Sequence, residues 1–406
     1  MIDVVVVGAG ASGLVTAIVA ARRGKKVLII EKNNKVGKKL LATGNGKCNI
    51  ANQHPTQERF YSQNSKFVVD VLSSYSYQSV KQFFKSIGLE LIEAKEGKVF
   101  PMSLQASSVV ELLRSECEQL GVKIICDAEV KKVSFTKNNF SLSLSEQTLH
   151  AKSLVLATGH CSAPQLGGVS DGLTFASSFG HKLVKGFPTL VQLTSPLKEQ
   201  SLKAMSGVKV ESRVTLSTAD KLIVKQGDVL FTNYGISGLA ILDISRFVMQ
   251  ELSRKKSLTL EIDLMPKMSR EQLLSLMKKS LIKKSRKPLE VWMQGFINKK
   301  LIRPILEPLK LEDEIVGSLF LNLETLEKIV DAIKKFSFEV NGSKGYKGAE
   351  VATGGVDTRE VNALTMESKK QKALYVTGEV LDVDGDRGGF NLYFAWICGL
   401  RAGEHV

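Results

Sequence analysis

Three glycines and one acidic residue near the start of the chain have the spacing of a dinucleotide-binding site. Gly8, Gly10 and Gly13 follow a run of valines, and Glu31 closes a second apolar run. In such a site the first glycine permits a tight turn, the second lets a pyrophosphate approach the backbone, and the third lets a helix pack closely on a strand. Glu31 can accept hydrogen bonds from the ribose hydroxyls of an adenosine, and its charge would repel a 2′-phosphate. We therefore predict a dinucleotide site, with a ligand-free glycine-rich turn as the alternative.

The residues around this spacing predict the elements that would hold it. Val4 to Val7 are typical of a buried strand, and Val27 to Ile30 predict a second one. Between them, an Ala/Val/Leu-rich stretch that ends at about Arg23 predicts a helix. The start of that helix, at Ala11 and Ser12, would present free N–H groups and the positive end of the helix dipole to phosphates.

A second glycine-rich region near the other end of the chain narrows the ligand to FAD. A predicted strand ends in Gly378 and Glu379, and Gly389, Phe390 and Asn391 open a final apolar helix. The N-terminus of that helix would stabilise the negative charge that collects near N1 of a reduced flavin. The alternative is an ordinary loop–helix junction. A second GxGxxG segment, which would open an NAD(P)-binding domain, is absent from the sequence.

Two further segments are expected to complete the cofactor site. A polar loop after the first acid is far longer than a routine connection, and long ordered loops are usually functional. A strand–hairpin–strand segment over residues 122–157 ends in an Ala-Thr-Gly turn, which is the usual way to extend the sheet of a two-part flavoprotein domain. We predict that FAD contacts Gly8, Gly10, Ala11, Ser12, Gly13, Glu31, Lys32, Lys39, Thr43, Gly44, Asn45, Val130, Ala157, Thr158, Gly159, Gly378, Glu379, Gly389, Phe390 and Asn391.

Short segments along nearly the whole chain follow the pattern of one flavoprotein family. These segments are Gly37–Asn49, Phe100–Pro101, Gln105–Ala106, Gly180–His181, Leu230–Thr232, Gly235–Gly238, Ala352–Val356, Thr365–Ser368 and Gly378–Glu379. On these residues the sequence resembles the BaiN/RdsA-like FAD-dependent oxidoreductases. The resemblance implies an FAD-binding domain split by an insert. It also implies either reduction of a uridine in large-subunit ribosomal RNA to dihydrouridine, or redox chemistry on a small molecule.

The candidate proton donor lies in the long loop. A flavin carries the hydride, whereas the protein must supply a proton, and a cysteine thiol near C5 of a pyrimidine can do so. Cys48 is our candidate general acid, with a packing role as the alternative. His160 and Cys161 depart from the family pattern, which places any substrate contact from that loop in doubt. Arg387 is expected either to meet substrate at the flavin or to pair with a neighbouring acid.

We predict an α/β fold in which a Rossmann-like FAD-binding domain of the two-part flavoprotein type is interrupted by a β-rich plus helical insert. The FAD-binding domain is predicted to span 1–188 and 346–406. Residues 189–265 alternate with period two and predict a β-barrel-like part of the insert. Residues 266–345 have helical periodicity and are basic, and they predict its helical part.

Within the helical part, caps and periodicity predict three helices. Ser269 and Gln272 form a plausible capping box for a helix that ends at about Lys284. Further helices are predicted near Leu289–Lys300 and Leu323–Phe336.

Composition excludes several classes of protein. No stretch approaches the roughly 18 uninterrupted apolar residues of a membrane span. The five cysteines include no CxxC pair and the five histidines have no ligand spacing, so neither a disulfide framework nor a metal site is expected. A reducing cytoplasm is the expected compartment.

Basic residues are concentrated in one segment of a chain whose formal net charge is +15. Between Glu251 and Lys300 there are thirteen Lys/Arg residues and five Asp/Glu residues, with Trp292 and Phe296 interleaved. Cations bind phosphates and aromatic rings stack on bases, so segment 254–303 predicts an interface for ribosomal RNA. The alternative is a solvated helical face whose two aromatic rings point into the core. Charge reversal would test the RNA interface at Lys283, Lys284, Arg286 and Lys287.

Three functions remain open at this point. The first is an FAD-dependent reductase that forms dihydrouridine in ribosomal RNA, with NAD(P)H as the expected reductant. The second is an FAD-dependent oxidase or reductase of a small organic substrate. The third is a flavin-containing RNA-binding protein without catalysis. The localised charge favours the first over the second, and the complete flavin apparatus disfavours the third.

Overall fold

The computed structural model describes residues 2–281 and 285–406, which form two compact units. The first unit contains the residues up to Phe187 together with Glu350–Val406, and the second is Pro188–Ala349. The insert was predicted in two parts, 189–265 and 266–345, whereas the structure makes it a single unit. The reason is that strands and helices from both parts bury their apolar side chains in one cluster.

The first unit is built on a sheet whose central strands are parallel. The parallel strands lie in the order Lys123–Ile125, Val27–Ile30, Ile2–Val7, Thr148–Leu156 and Leu374–Val376. Two antiparallel strands, Asn139–Ser143 and Lys132–Thr136, extend the sheet beside the N-terminal half of the long strand. The parallel strands are rich in Val, Ile and Leu because most of their residues are buried, whichever face they point to.

Six helices and several short strands complete the first unit. The helices are Ala11–Arg22, Ser65–Leu72, Tyr77–Ser86, Ala106–Gln119, Asp171–Ser178 and Phe390–His405. The shorter strands are Ala51–Asn52, Phe60–Tyr61, Leu91–Glu93, Lys98–Pro101, Leu183–Val184, Val351–Ala352, Gly355–Val356 and Asp384–Gly385.

The second unit has an antiparallel seven-stranded sheet. In order across the sheet, its strands are Phe336–Val340, Leu258–Asp263, Lys209–Ser217, Leu222–Thr232, Gly235–Ser237, Leu193–Thr194 and Gly342–Ser343. The first and last strands in this order are joined through Asn341 alone, so the sheet must curl until its two edges nearly meet. A further short strand is Pro188–Thr189.

Helices pack on this curled sheet. They are Glu199–Met205, Leu239–Leu252, Arg270–Ser280, Leu289–Met293, Lys299–Leu306, Val316–Leu321, Leu323–Lys334 and Gly345–Gly348. The predicted capping box is confirmed, because the Ser269 hydroxyl accepts from Gln272 N and the Gln272 side chain accepts from Ser269 N. That helix ends at Ser280, and Lys284, where it was predicted to end, lies outside the described residues. In neither described range is any helix long and apolar enough to cross a membrane.

Candidate cofactor and active site

Five stretches of the first unit meet at one edge of its sheet because each follows the carboxyl end of a parallel strand. The strands that end at Val7, Ile30, Ile125, Leu156 and Val376 lead into the predicted site residues. These are the glycine turn from Gly8, then Glu31, Val130, the turn Ala157–Gly159, and Gly378 with Glu379. Ligands of open α/β sheets bind outside the carboxyl ends of the strands. The structure therefore brings these predicted residues together from both ends of the chain.

The three glycines of the first turn are required for different reasons. A Cβ on Gly8, at φ +105°, would lie 2.4 Å from Ala157 O, and a Cβ on Gly13 would lie 2.0 Å from Gly8 O. Neighbouring protein atoms therefore leave no room for a side chain at either position. Gly10 has φ −88°, and a Cβ built on it would meet no protein atom within 4 Å. The protein has no internal need for glycine at position 10, so the open space fits a ligand that approaches the backbone there.

The first helix, Ala11–Arg22, begins at this open space. Gly10 is its N-cap, no side chain caps the helix, and its first turn contains no acidic residue. The first N–H groups of a helix have no partner within the helix, and they carry its positive partial charge. This end of the helix is therefore suited to a diphosphate.

Glu31 is buried beside the glycine turn. Its Oε2 accepts from Ala9 N at 2.8 Å, and its Oε1 accepts from Asn33 N at 2.8 Å and Asn33 Nδ2 at 2.7 Å. A carboxylate has about four acceptor positions, so capacity remains for a ribose hydroxyl. Lys32 instead pairs with Glu129 at 2.6 Å and Asp171 at 3.3 Å. These two acids raise the pKa of Lys32. Because they already neutralise its ammonium, Lys32 would not act as the sole counter-ion of a phosphate.

Lys39 and Glu379 form an ion pair at the same edge. Lys39 Nζ lies 2.8 Å from Glu379 Oε2 and donates to Ser162 Oγ at 2.7 Å. A Cβ on Gly159 would lie 3.7 Å from Glu379 Oε2, and a Cβ on Gly378 would lie 2.9 Å from the Ser12 hydroxyl. The predicted residues Lys39, Gly159, Gly378 and Glu379 are thus neighbours. Ser162 was not predicted, and its only signal in the sequence was its place after the Ala-Thr-Gly turn.

The first and last helices run parallel and in close contact. A Cβ on Gly399 would lie 2.7 Å from Ser12 O, and a Cβ on Gly403 would lie 2.9 Å from Thr16 O. The last helix, Phe390–His405, starts nine residues before the first of these contacts. The first helix starts one residue before Ser12, so at 1.5 Å per residue the last helix begins about 12 Å beyond the start of the first. Two helix N-termini at this separation fit a cofactor with a diphosphate at one point and an electron-accepting ring further along.

The loop Ala42–Asn49 reaches the start of the last helix. Gly44, Asn45, Gly46 and Cys48 all have positive φ, so the loop is a series of tight turns. With its amide oriented to satisfy its neighbours, Asn49 accepts from Gly389 N at 3.3 Å and donates to the carbonyls of Ala51 and Val99 at 3.1 Å. From the sequence, Asn49 is expected to position this loop or the flavin. The structure gives it the task of fixing the loop against the helix.

Two predicted flavin contacts at the last helix have structural partners. The Asn391 amide is bound to the backbone, because it accepts from Gly385 N and donates to Gly385 O, both at 2.8 Å. The Phe390 ring is buried against Phe60 with ring centroids 5.8 Å apart, and the Arg59 guanidinium lies 4.4 Å from its centroid. Both residues therefore present their backbone N–H groups, rather than their side chains, at the helix N-terminus.

Cys48 is enclosed by protein. Burial raises the pKa of its thiol to about 11, despite a hydrogen bond with Thr43 that lowers it. The thiol thus stays protonated at neutral pH, but no face of it is exposed to a substrate. Its role as proton donor stays a prediction, and its enclosure favours the packing alternative.

His160 and Cys161 form a contact pair close to the Lys39–Glu379 ion pair. His160 Nδ1 accepts from Cys161 N at 2.8 Å and lies 3.1 Å from Cys161 Sγ. Burial lowers the pKa of His160; the nearby Glu379 charge raises it, and Lys39 lowers it. The imidazole is therefore neutral at neutral pH.

The basic segment belongs to the second unit, and the structure corrects one part of its interpretation. Trp292 is buried, donates from Nε1 to Ser280 O at 3.4 Å, and packs edge-on against Phe296 with centroids 4.9 Å apart. Trp292 thus faces the core, as the alternative expects, and Phe296 is half-buried and packs against the same core. Arg303 pairs with Glu290 at 3.0 Å, while Lys278 and Lys279 are exposed. Lys283 and Lys284 lie outside the described residues.

Comparison with known proteins places the whole chain in one family. The HI0933-like protein Rossmann domain family matches residues 2–405. A 3-dehydro-bile acid delta(4,6)-reductase of Clostridium scindens is 33% identical over 402 residues, covering 98% of this chain and 97% of that protein. A ribosomal RNA dihydrouridine synthase of Haemophilus influenzae is 34% identical, covering 97% and 95% of the two chains. The Escherichia coli protein of the same description is 31% identical, covering 100% and 98%.

The matches extend across both units, and they confirm the resemblance inferred from the motifs. The two-part fold, with its parallel sheet and glycine turn, is the Rossmann-like fold of FAD-binding flavoproteins. The chain therefore belongs to the HI0933-like protein family of FAD-dependent oxidoreductases.

Proposed function

We propose that this protein reduces a carbon–carbon double bond conjugated to a carbonyl group, and that its substrate is a uridine of large-subunit ribosomal RNA. The names of the relatives share this chemistry. Formation of dihydrouridine reduces the C5–C6 bond, which is conjugated to the C4 carbonyl. A 4,6-diene next to an oxidised C3 of a bile acid is conjugated in the same way.

One observation carries the oxidoreductase assignment. The backbone at Gly10 is open to a ligand, and the N-terminus of the last helix lies further along the first unit, where the other end of the same ligand would reach. Glu31 would hold the adenosine ribose, and the first helix with Lys39 would hold the diphosphate. Bound FAD would supply the hydride. The backbone N–H groups of Phe390 and Asn391 would stabilise negative charge at the far end of the cofactor. NAD(P)H is the proposed source of electrons.

The charge of the chain supports RNA over a small substrate. A net charge of +15, with basic clusters in segment 254–303, favours a polyanionic partner. Since Trp292 is buried and Phe296 is half-buried against it, this segment would bind mainly phosphates. It would therefore contribute affinity, and the first unit would have to recognise the uridine.

A small conjugated ring compound is the second candidate substrate. It is supported by the Clostridium scindens relative, whose identity of 33% is within a few percent of that of the two RNA-modifying relatives. Overall similarity therefore does not separate the two substrates.

Two measurements test the proposal. Dihydrouridine is mapped in ribosomal RNA from a strain that lacks the gene, and from the same strain complemented with it. We expect one dihydrouridine to disappear and return, and persistence of every dihydrouridine would rule out the RNA substrate. Stopped-flow flavin reduction by NADH and by NADPH tests catalysis independently of the substrate.

A further inference from the structure

Three segments of the first unit meet beside the start of the last helix. The loop Ala42–Asn49 is attached there through Asn49 and Gly389. The buried Asn52 side chain donates to Glu96 O at 3.1 Å and to Gly388 O at 3.2 Å, which attaches the turn before the strand Lys98–Pro101. The loop, the strand and the glycines before the last helix therefore border one region, at the end of the site where the electron-accepting ring would lie.

One face of the strand Lys98–Pro101 is directed away from the core. Successive side chains of a strand alternate, so Lys98 and Phe100 share a face while Val99 and Pro101 are buried on the other. The Phe100 ring borders the glycine loop, since a Cβ on Gly44 would lie 3.4 Å from its Cε1. A half-buried aromatic ring beside an exposed glycine turn offers a flat apolar surface at this site.

Positive charge surrounds a single carboxylate next to that ring. Lys98 Nζ lies 2.5 Å from Glu96 Oε2, and Glu96 is 74% exposed. Lys98, Arg387 and Arg59 all lower the pKa of Glu96. Arg59 also pairs with Asp386 at 2.7 Å.

The backbone holds Glu96 in this position at a cost. Glu96 has φ +62° in the turn Lys95–Gly97, which is a left-handed conformation that side-chain-bearing residues adopt rarely. The turn is fixed from behind by Asn52, so the carboxylate is presented to Lys98 by a strained residue. An exposed ion pair alone contributes little to stability. The Glu96 carboxylate can therefore leave Lys98 at little cost in stability.

We propose that Phe100 supports the planar conjugated ring of the substrate while Lys98, on the same strand face, binds an anionic group attached to that ring. Glu96 occupies the anion position until the substrate displaces it. The inference rests on the proposed function, because it assumes a conjugated ring substrate. The anionic group is a phosphate if the substrate is a nucleotide, and a carboxylate if it is a bile acid.

The inference predicts an unusual sign for one variant. Removing the Glu96 charge removes a competitor for Lys98, so Glu96→Gln should bind anionic ligands more tightly, by about two- to fivefold for an exposed charge pair. Lys98→Met should bind them more weakly by a similar factor. Phe100→Leu should weaken anionic and neutral ligands alike.

The test uses FAD-loaded protein and two matched pairs of probes. The first pair is uridine and uridine 5′-monophosphate; the second is a 3-oxo-4-ene steroid without and with a side-chain carboxylate. Dissociation constants are measured from the change in flavin fluorescence. Glu111→Gln is the control, because Glu111 is an exposed acid whose partner, Arg114, lies on the same helix.

The result that supports the inference is a higher affinity of Glu96→Gln for the anionic member of at least one pair, with no change for its neutral member or in Glu111→Gln. The pair that responds identifies the source of the anion. If the wild-type protein reduces a probe while Glu96→Gln leaves the anionic-to-neutral ratio unchanged, the anion site is wrong and the proposed function stands. If ribosomal dihydrouridines all persist after gene deletion and no probe is reduced, the proposed function fails, whichever way the ratio moves.

Discussion

The Lys39 ammonium and the Glu379 carboxylate, 340 positions apart in the sequence, form an ion pair of 2.8 Å at the carboxyl edge of the parallel sheet. One partner lies in the loop after the second strand and the other follows the last strand. Their side chains are only 30% and 19% exposed. The pair therefore joins the two ends of the chain at the place where the diphosphate is proposed to bind.

Replacing Lys39 with Met should weaken FAD binding. The change removes a cation beside the diphosphate and leaves the Glu379 carboxylate to repel it. We expect the dissociation constant of FAD to rise about tenfold, or about 1.4 kcal/mol. Titration of the apoprotein with FAD, followed by flavin fluorescence, measures it. Lys26→Met, at an exposed position, is the control, and an equal affinity in the two variants would contradict the role of Lys39.

Gly10→Ala should weaken FAD binding without changing the stability of the apoprotein, whereas Gly13→Ala should destabilise the apoprotein itself. At Gly10 a methyl group meets no protein atom, so the apoprotein should melt within about 1 °C of wild type, while FAD affinity falls by at least about tenfold. At Gly13 a methyl group lies 2.0 Å from Gly8 O, so the apoprotein itself should lose about 1–3 kcal/mol.

Thermal melts of both variants without FAD, and FAD titration of Gly10→Ala, separate the two effects. If Gly10→Ala binds FAD normally, the diphosphate does not approach the backbone at this position, and the proposed cofactor geometry is wrong.

Mild acid should destabilise the protein through buried histidines. His181 is buried, its Nε2 lies 2.7 Å from Ser368 Oγ, and its Nδ1 lies 3.4 Å from Glu360 Oε2. Burial lowers its pKa; Glu360 raises it and Lys370 lowers it, with a net decrease. The unfolded chain therefore takes up a proton at a higher pH than the folded one. The contribution of neutral His181 to the free energy of unfolding is fully present above a pH of about 6.5, and it is lost as the pH drops towards the lowered pKa.

The slope for one histidine cannot exceed about 1.4 kcal/mol per pH unit. Urea unfolding at pH 7.5 and 5.5 measures this loss of stability. Both pH values lie above the range in which the ion-paired carboxylates titrate. His181→Gln should reduce the difference between the two pH values. Since burial also lowers the pKa of His160, part of the difference should remain. An unchanged difference in His181→Gln would show that His181 is protonated in the folded protein.

Charge reversal in the basic segment should weaken RNA binding and leave the cofactor in place. The described positions are Arg286 and Lys287, and the two further positions chosen from the sequence, Lys283 and Lys284, are outside the described residues. Reversing all four should lower RNA affinity and flatten its dependence on salt, because each lost phosphate contact reduces the slope. Filter binding across a salt series measures both. FAD content is the control for folding, and unchanged affinity and salt slope would exclude the segment as an RNA interface.

The sequence was sufficient where local pattern and tertiary structure agree. Valine-rich strands, the glycine turn and Glu31 follow from spacing alone, and the capping box at Ser269 needs only adjacent residues. The helix Leu239–Leu252 was missed because it lies between strands in a segment predicted as a sheet, and its apolar residues also suit a buried strand.

The tertiary contacts of the site could not be predicted from one sequence. The pairing of Lys39 with Ser162 and Glu379 depends on three loops that meet only in the folded unit. At Trp292 the difficulty is different, because one sequence pattern is compatible with two structures. Four-residue spacing to Phe296 is compatible with a stacking surface and with a core contact, and only the structure shows the contact with Ser280.

The parallel contact between the first and last helices determines when the protein can finish folding during its synthesis. The first helix leaves the ribosome long before Gly399 and Gly403, which cover one of its sides, are added. At 5–20 residues per second, the roughly 380 intervening residues take about 20–80 s to synthesise. The whole of the second unit emerges during this interval. Until the helix Phe390–His405 is made, this side of the first helix has no permanent cover, and nascent chains that stall before that helix should be the ones that require chaperones.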